Sequence, residues 1–372
     1  MSNPYLAIAA PGVKGLQPYQ PGKPISELER EYGVSNIIKL ASNENPLGPG
    51  AAARAAIERE IAEIARYPDG GGFDLKVALA EYHAVDPACI TLGNGSNDVL
   101  VLLAEAFLTP ETEAVYSEYA FAVYPIAVQA TGARARVAPA FPPDHATSPL
   151  GHDLDAMAER LNDHTRLVFI ANPNNPTGTW VSRNALRRFV ESVPEHALVV
   201  VDEAYFHYVE EPEYPDTTRW LDDFPNLVVT RTFSKIFGLA GARAGYSLSA
   251  PGIADLLNRV RQPFNLNSLA QAAALAALGD EEHIERSRKL NQRGLEEITQ
   301  ACETCGLGYV PSIGNFVLVD FGRPALPVYD ALLRESIIVR PVGNYGLPNH
   351  LRISVGLPEE NERLAVALRK VL

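Results

Sequence analysis

Lys235 lies where a lysine is unusual, between an apolar run and a segment of small residues. The stretch VVTRTFSKIFGLAGARAGYSLS, residues 228–249, contains this lysine with Ser234 before it and Arg243 after it. Lysines are normally solvated surface residues. A lysine beside apolar walls has a lowered pKa and can act as a nucleophile that forms Schiff bases. Lys235 is therefore a candidate catalytic residue.

Polar segments follow four apolar runs in the middle of the chain. Continuous β-branched runs alternate there with helical patterns, which indicates a parallel sheet covered on both faces. In such sheets, ligand groups gather beyond the carboxyl ends of the strands. The polar segments are 93–97, 172–178, 202–205 and 234–235. We therefore expect these four segments to converge on one crevice.

The segment GNGSNDVLVLL, residues 93–103, predicts an anion site at the start of a helix. Free backbone N–H groups and the helix dipole at Gly95, Ser96 and Asn97 would suit a phosphate. A plain turn with a serine cap is the alternative reading. Ser234 and Arg243 would complete the site by adding a hydroxyl and a guanidinium. The segment lacks the GxGxxG pattern, so a dinucleotide fold is not supported.

Asp202, Asn175 and Tyr205 supply the other polar groups of the expected crevice. A carboxylate at the end of the buried run VVVD needs a partner, and a protonated ring nitrogen would serve. A capping or salt-bridged aspartate is the alternative. Two prolines and a glycine in NPNNPTG restrict the backbone around Asn175. Together these residues match pyridoxal phosphate. They provide a phosphate site, a lysine, an acid for the ring nitrogen and donors for the ring oxygen.

Composition and charge exclude several classes of function. The chain has 372 residues, 47% of them hydrophobic, which favours a globular protein of two domains. A formal net charge of −13 argues against nucleic acid or an anionic membrane as partner. No apolar window is long enough for a membrane helix, and we expect a cytoplasmic protein. The three cysteines predict neither a disulfide framework nor a metal site.

Eight segments of the sequence resemble, in the same order, segments of the fold-type I aminotransferases of class I/II. The resemblance covers nearly the whole chain and implies an α/β fold of the aspartate aminotransferase type. A mostly parallel central sheet would form a large domain, beside a smaller α+β domain. Residues 1–44 would form an N-terminal arm and part of the small domain. Residues 45–264 would form a large cofactor-binding domain, and residues 265–372 a C-terminal small domain. The resemblance is carried by LQPYQPGKP, KLASNENPLGP, RYPDGGGFDLKVALAEY, LGNGSNDVL, NPNNPTG, VDEAY, TFSKIFGLAGARAGY and NYGLPNHLRISVG.

The resemblance implies a role for each matching residue around pyridoxal 5′-phosphate. Lys235 would bind the cofactor covalently and then move the proton during the reaction. Asp202 would pair with the pyridine nitrogen, and Tyr205 and Asn175 would bind the ring oxygen. The phosphate would be held by Gly95, Ser96, Asn97, Ser234 and Arg243.

Two aromatic residues are implied to contact the cofactor. Phe121 takes the place of the ring that stacks on it, and Tyr119 is a rival because the local match is loose. Tyr67, in RYPDG, would reach the phosphate bound by the neighbouring subunit. The resemblance therefore implies a homodimer with composite active sites.

The substrate pocket is implied by four further residues. Arg352, in LRISVG, matches the arginine that clamps the substrate's anionic group, a task for a bidentate fork. Tyr19, Asn45 and Arg340 would line the same pocket. For Arg340 and Tyr19, a surface salt bridge and a packed aromatic ring are the alternatives.

The segments PYQPGKP and RYPDG indicate one branch of the family. They are similar to those of the aminotransferases that act by a ping-pong mechanism on L-histidinol phosphate with 2-oxoglutarate, in histidine biosynthesis. The expected partners are thus a small-molecule amino donor and a 2-oxo acid. An aromatic amino acid aminotransferase is the main alternative, since its pocket needs the same arginine and apolar walls. A threonine-phosphate decarboxylase and a cofactor-binding regulator are further alternatives.

Overall fold

The computed structural model describes residues 3–372, which form two sheets and a short two-stranded pair. Strand boundaries follow the apolar runs of the sequence. In chain order the strands are β1 (Ile38–Lys39), β2 (Ile90–Asn94), β3 (Glu113–Ser117), β4 (Arg134–Ala138), β5 (Thr165–Ala171), β6 (Leu198–Asp202), β7 (Leu227–Thr232), β8 (Ala244–Ser249), β9 (Gly308–Val310), β10 (Phe316–Asp320), β11 (Ile337–Ile338), β12 (Arg340–Pro341) and β13 (His350–Ser354).

The helices lie mostly between consecutive strands, as expected for crossover connections. They are α1 (Pro11–Lys14), α2 (Ile25–Tyr32), α3 (Ala51–Glu60), α4 (Phe73–His83), α5 (Ser96–Phe107), α6 (Val123–Thr131), α7 (Leu154–Ala158), α8 (Arg183–Ser192), α9 (Pro251–Val260), α10 (Ser268–Leu278), α11 (Glu281–Thr304), α12 (Leu326–Arg334) and α13 (Pro358–Val371). Across residues 3–372, none of the helices is both long enough and apolar enough to cross a bilayer.

The central sheet has seven strands in the order β2-β8-β7-β6-β5-β3-β4. Strands β4, β3, β5, β6 and β7 are parallel, and β8 runs antiparallel to both β7 and β2. Side chains from both faces are buried, as the consecutive residues Val199, Val200 and Val201 of β6 illustrate at 0% exposure. This burial explains why the strands read as continuous apolar runs instead of alternating ones.

Helices cover both faces of the central sheet. On one face α5, α6 and α9 enclose a buried cluster that includes Leu103, Tyr124 and Leu257. On the other face α7 and α8 pack over β5, β6 and β7 through Met157 and Phe189. The parallel strands therefore end together at one edge, where their polar residues meet.

A smaller α+β unit follows in the C-terminal part of the chain. Strands β12, β13, β10 and β9 form an antiparallel sheet. Helices α11, α12 and α13 contribute Ile298, Leu332 and Leu364 to its core. The N-terminal strand β1 pairs in parallel with β11, so the start of the chain joins this unit. The expected fold class, with a mostly parallel central sheet and a smaller α+β unit, is confirmed.

The division at residue 264 stays a proposal, and α10 gives a reason to revise it. This helix follows residue 264, but Ala270, Ala273 and Ala274 lie in one buried cluster with Ala53 of α3 and Leu75 of α4. The same cluster includes residues of β2 and β8 in the central sheet. We propose that the larger unit extends through α10 and that α11 begins the smaller one.

Candidate active site

The structure brings the four polar segments together in one cavity at the carboxyl edge of the central sheet. Its space, including the open mouth, is about 590 Å³. This is the crevice that the strand pattern predicts. The residues that line it are Ser96, Asn97, Phe121, Ala171, Pro173, Asn175, Asp202, Ala204, Tyr205, Thr232, Ser234, Lys235 and Arg243.

One end of the cavity is an anion cradle formed by the start of α5 and by Arg243. Gly95 precedes the helix with a φ of 80°, and a Cβ there would lie 2.3 Å from Nη2 of Arg243. A Cβ on Gly245 would lie 2.1 Å from the backbone nitrogen of Ser96. Arg243 Nη1 donates a hydrogen bond to Oγ of Ser234 at 3.1 Å. Gly95 thus lets the guanidinium approach the helix end closely, and Gly245 lets strand β8 approach the same helix end.

The donors in this cradle fit a phosphate group. The amino terminus of α5 offers unpaired N–H groups and the positive end of the helix dipole. Arg243 adds a guanidinium suited to phosphate oxygens. Ser96 and Ser234 add hydroxyls that line the same cavity.

Lys235 follows β7 directly and extends into the cavity. Its Nζ donates hydrogen bonds to the backbone oxygens of Asn43 at 3.2 Å and Ser42 at 3.4 Å. Burial, helped by the positive charges of Arg352 and Arg243, lowers the pKa of Lys235 to about 7. A large fraction of this amine is therefore neutral near pH 7 and able to act as a nucleophile or base.

Asp202 is the last residue of β6, and its carboxylate is buried. Burial raises its pKa, and hydrogen bonds oppose that effect. Tyr124 Oη donates to Oδ2 and Thr230 Oγ1 donates to Oδ1, both at 3.0 Å. These two hydrogen bonds favour the charged form of the carboxylate, and the sequence pattern did not identify either partner. Thr230 lies opposite Asp202 in the β6–β7 register, which the sequence does not reveal.

Tyr205 and Asn175 lie on the wall of the cavity, each held by a partner from outside the central sheet. Tyr205 Oη accepts a hydrogen bond from Nδ2 of Asn43 at 2.9 Å. Burial raises the pKa of Tyr205 to about 12. Asn175 Oδ1 accepts from Nη1 of Arg352 at 2.5 Å. Both side chains are thus fixed in the cavity wall, where a ring oxygen would need donors.

Arg352 projects from β13 to the edge of the cavity. Its Nη2 donates to the backbone oxygen of Ala41 at 2.7 Å, while its Nε is buried without a hydrogen-bond partner. Burial lowers its pKa. An unpaired buried donor costs roughly 1–3 kcal/mol, so Arg352 has capacity for an anion.

Of the two candidate stacking residues, Phe121 lines the cavity and Tyr119 does not. Its ring meets the ring of Tyr124 edge-on, with centroids 5.9 Å apart. Tyr119 packs instead against the cluster that contains Leu150 and Val310. The structure therefore favours Phe121 as the residue that would stack on a bound ring.

Arg340 lies beside Arg352 in the sheet but directs its guanidinium elsewhere. The two arginines are register partners in β12 and β13. Arg340 Nη2 donates to the backbone oxygen of Gln20 at 2.5 Å, and its guanidinium lies 5.8 Å from the ring centroid of Tyr19. The substrate roles of Arg340 and Tyr19 stay predictions, because the structure joins both residues to the N-terminal arm.

Asn45 differs most from its expected place. Its Nδ2 donates to the backbone oxygen of Ile236 at 2.7 Å and to Oγ of Ser287 at 2.8 Å. Its Oδ1 accepts from the backbone nitrogen of Leu47 at 3.0 Å. The amide is thus used to hold the fold, and Asn45 does not line the cavity. Asn43, two residues earlier, contacts Tyr205 and Lys235 of the cavity, and the substrate role of Asn45 stays a prediction.

Tyr67 lies on the surface, away from the residues that line its own chain's cavity. Its side chain is 82% exposed and stacks on Phe264, with ring centroids 4.7 Å apart. Its expected contact with a phosphate in the partner subunit stays a prediction.

The sequence pattern of one known family matches this chain over residues 35–368, and that family is described as aminotransferase class I and II. The match covers most of the chain. The chain belongs to the class I and II aminotransferases. The resemblance inferred from the sequence is thereby confirmed, including the expectation of an enzyme that uses pyridoxal phosphate.

Relatives of this aminotransferase match it over their full length. Histidinol-phosphate aminotransferase 2 of Pseudomonas fluorescens strain Pf0-1 is 56% identical over 374 residues, which cover 100% of this chain and 99% of the relative. Histidinol-phosphate aminotransferase 2 of Methylococcus capsulatus is 57% identical over 366 residues, or 98% of each chain.

Solved structures agree with the fold of the aminotransferase. Histidinol-phosphate aminotransferase from Sinorhizobium meliloti, in complex with pyridoxal-5′-phosphate, is 30% identical, with a TM-score of 0.89 over 98% of this chain and 97% of that one. Aspartate aminotransferase from Thermus thermophilus, with maleate, is 22% identical, with a TM-score of 0.84 over 98% of this chain and 99% of that one. The second likeness supports the fold alone.

The cavity of this aminotransferase fits its cofactor, pyridoxal phosphate. The cradle around Arg243 suits the phosphate, and Asp202 supplies a buried anion for the ring nitrogen. Asn175 and Tyr205 lie on the cavity wall and could hydrogen-bond the ring oxygen, and Lys235 could supply the amine. Each polar group of the cofactor thus has a chemically matched residue.

Proposed function

We propose that the chain is a histidinol-phosphate aminotransferase. It would transfer the amino group of L-histidinol phosphate to 2-oxoglutarate and release imidazole acetol phosphate and glutamate, as a cytoplasmic enzyme of histidine biosynthesis. The observation that carries the proposal is full-length identity above one half to relatives of that name. The same cavity would accept the two substrates in turn, which gives a ping-pong reaction.

Lys235 would act as the base of the reaction. Bound pyridoxal phosphate supplies an acceptor for the electrons that remain when the substrate's Cα proton leaves. With a pKa of about 7, Nζ of Lys235 exists in both the neutral and protonated forms near neutral pH. The neutral amine takes up the Cα proton, and the ammonium returns it. Asp202 would hold a proton on the ring nitrogen, supported by Tyr124 and Thr230.

Arg352 would bind the anionic group of each substrate. Two of its nitrogens are paired with Asn175 and Ala41, and its Nε has no partner. A phosphate and a carboxylate each present two oxygens that a guanidinium fork can bind. One arginine is therefore suited to the phosphate of the first substrate and a carboxylate of the second.

Steady-state kinetics tests the choice of substrate. L-Histidinol phosphate, phenylalanine and tyrosine are each assayed as amino donor with 2-oxoglutarate. We expect kcat/KM for L-histidinol phosphate to exceed that for either aromatic amino acid by roughly 10²-fold or more, because a site with phosphate partners rejects analogues that lack the group. Higher kcat/KM for phenylalanine or tyrosine would identify an aromatic amino acid aminotransferase instead.

We also propose that the active unit is a homodimer in which Tyr67 serves the partner subunit's site. Phe264, which stacks on this residue, and several large apolar side chains close to it in sequence are exposed, and exposed apolar surface of this kind can mark an interaction surface. A second copy of the chain is the proposed occupant because Tyr67 carries a hydroxyl suited to the partner's phosphate cradle. The exposed residues are Ile61, Ile64, Tyr67, Phe73 and Phe264.

Hybrid dimers test this arrangement. Tyr67→Ala and Lys235→Ala chains with different tags are co-expressed, and dimers carrying both tags are purified and assayed at limiting cofactor. If Tyr67 crosses the interface, the hybrid has one intact site and regains roughly half of the wild-type activity per dimer. If Tyr67 serves its own chain, neither site is intact. A hybrid as weak as its parents would therefore contradict the proposal.

A further inference from the structure

Asn43 contacts two of the side chains proposed to handle the reactive end of the cofactor. Its Nδ2 donates to Oη of Tyr205 at 2.9 Å. Its backbone oxygen accepts from Nζ of Lys235 at 3.2 Å. The residue is 1% exposed, and its hydrogen bond with Tyr205 is buried. Burial strengthens that hydrogen bond relative to one at the surface.

Ser354 fixes the orientation of the Asn43 amide. The backbone nitrogen of Asn43 donates to Oγ of Ser354, and that hydroxyl donates to Oδ1 of Asn43, both at 2.8 Å. The amide oxygen therefore faces Ser354, and the amide nitrogen faces Tyr205. Asn43 also has a φ of 53°, a left-handed conformation that asparagine tolerates better than most residues.

This orientation decides what the Tyr205 hydroxyl can do. Because Oη accepts a hydrogen bond from Asn43, its own proton remains available for another acceptor. The same hydrogen bond stabilises negative charge on Oη, which opposes the rise in the pKa of Tyr205 caused by burial. Tyr205 is thereby a stronger donor than an unsupported tyrosine would be.

We propose that Asn43 is a positioning residue, which aims the Tyr205 hydroxyl at the cofactor's ring oxygen and holds the Lys235 amine ready in the cavity. Its side chain sets the strength of the hydrogen bond from Tyr205. Its backbone carbonyl orients Lys235 independently of the side chain. The inference rests on the proposed roles of Tyr205 and Lys235, and it does not depend on which amino donor is the substrate.

Other charged and titratable groups also face these two side chains. Burial raises the pKa of the Tyr205 phenol most strongly, and Arg352 lowers it. Asp202 and Tyr345 raise it by smaller amounts. Lys235 lies 5.5 Å from the centroid of the Tyr205 ring. Substitutions at position 43 leave all of these groups in place. The groups that act on the amine of Lys235 are Arg352, Glu44, Arg243 and Asp202.

The test is a pH titration of the visible absorption of the bound cofactor in Asn43→Gly. Glycine keeps the backbone carbonyl and the positive φ and removes only the amide. A weaker hydrogen bond from Tyr205 leaves more negative charge on the cofactor's ring oxygen. The proton next to that oxygen, whose loss the titration measures, is then held more firmly. We expect the titration midpoint to rise by about 0.5 to 1 pH unit, which corresponds to the free energy of one buried hydrogen bond.

Asn36→Gly is the matched control. Asn36 is also an asparagine with a positive φ, 52°, but it is exposed and its backbone oxygen accepts from Arg363. Its substitution carries the same change in backbone freedom, and we expect the wild-type midpoint. A change in folding stability alone would leave the midpoint unaltered in both variants.

Asn43→Asp and Ser354→Ala extend the test. Aspartate would itself accept the hydrogen bond from Tyr205, so we expect the titration midpoint to rise more than in Asn43→Gly. Ser354→Ala keeps Asn43 but removes the group that orients it, and we expect a smaller rise. This variant decides the matter if Asn43→Gly fails to fold or bind cofactor. A wild-type midpoint in Asn43→Gly, or in Ser354→Ala in that case, would overturn the inference.

The control for the underlying function is Lys235→Ala. If this variant still shows a borohydride-sensitive visible band, the proposed role of Lys235 is wrong and the inference about Asn43 falls with it. If the band is lost in Lys235→Ala and the midpoint is unchanged in Asn43→Gly, the role of Lys235 stands and only the inference is wrong.

Discussion

Replacing Lys235 by alanine should abolish transamination and remove the visible absorption band that borohydride bleaches in the wild-type enzyme. The variant lacks both the amine that binds the cofactor and the base that moves the proton. We expect kcat to fall by roughly 10⁴-fold, because general acid–base catalysis and covalent attachment are lost together. Absorption spectra before and after borohydride, with single-turnover rates, measure both losses.

Lys76→Ala is the control for this prediction. Lys76 is also partly buried, and burial lowers its pKa, but it lies outside the cavity. We expect this variant to keep the visible band and the wild-type kcat. Retention of a borohydride-sensitive band in Lys235→Ala would contradict the assignment of the catalytic lysine.

Replacing Asp202 by asparagine should lower kcat by roughly 10²–10³-fold, the cost of removing one preorganised electrostatic partner. A neutral amide cannot hold a proton on the ring nitrogen, so the ring accepts electrons less readily. The amide oxygen can accept from one of Tyr124 and Thr230, and the other hydroxyl can accept from the amide nitrogen, which preserves the fold around it. The cofactor should therefore stay bound through Lys235 and the cradle at Arg243, and its saturation is measured together with kcat.

Asp202→Glu separates charge from position. Glutamate keeps the negative charge and moves it by one methylene, so we expect kcat between those of the wild type and Asp202→Asn. The comparison is made at saturating cofactor. Wild-type kcat in Asp202→Asn would show that the carboxylate has no electrostatic role in the reaction.

The polar segments of the cavity were predictable because they follow continuous apolar runs. A run such as residues 198–202 fixes both a buried parallel strand and the edge where its last side chain emerges. Asp202 and Lys235 could therefore be assigned to one crevice. Their local sequence neighbours determine where they lie.

Partners supplied by distant elements could not be predicted in this way. Tyr124 and Thr230 reach Asp202 from α6 and β7 through packing and register. Asn43 and Ser354 are 311 residues apart and meet because β1 and β13 lie in the same unit. No periodicity in a single sequence encodes these contacts, so the role of Asn43 could not be predicted from its neighbours.

The place of α10 in the fold could not be predicted for a similar reason, and the boundary after residue 264 stays a proposal. The change from strands to long helices begins there, but composition does not reveal which core a helix joins. Helix α10 is rich in alanine, and its small side chains pack closely on α3. Such packing depends on the shape of the partner helix as well as on the pattern of the sequence.

The half-reaction with one substrate tests the central claim most directly. The cofactor-loaded enzyme is mixed with L-histidinol phosphate in the absence of 2-oxoglutarate. We expect the visible band to decay while one imidazole acetol phosphate forms per active site, and 2-oxoglutarate alone then to restore the band. Phenylalanine and tyrosine at equal concentration should react more slowly. A band that L-histidinol phosphate leaves unchanged, or that phenylalanine converts faster, would contradict the account.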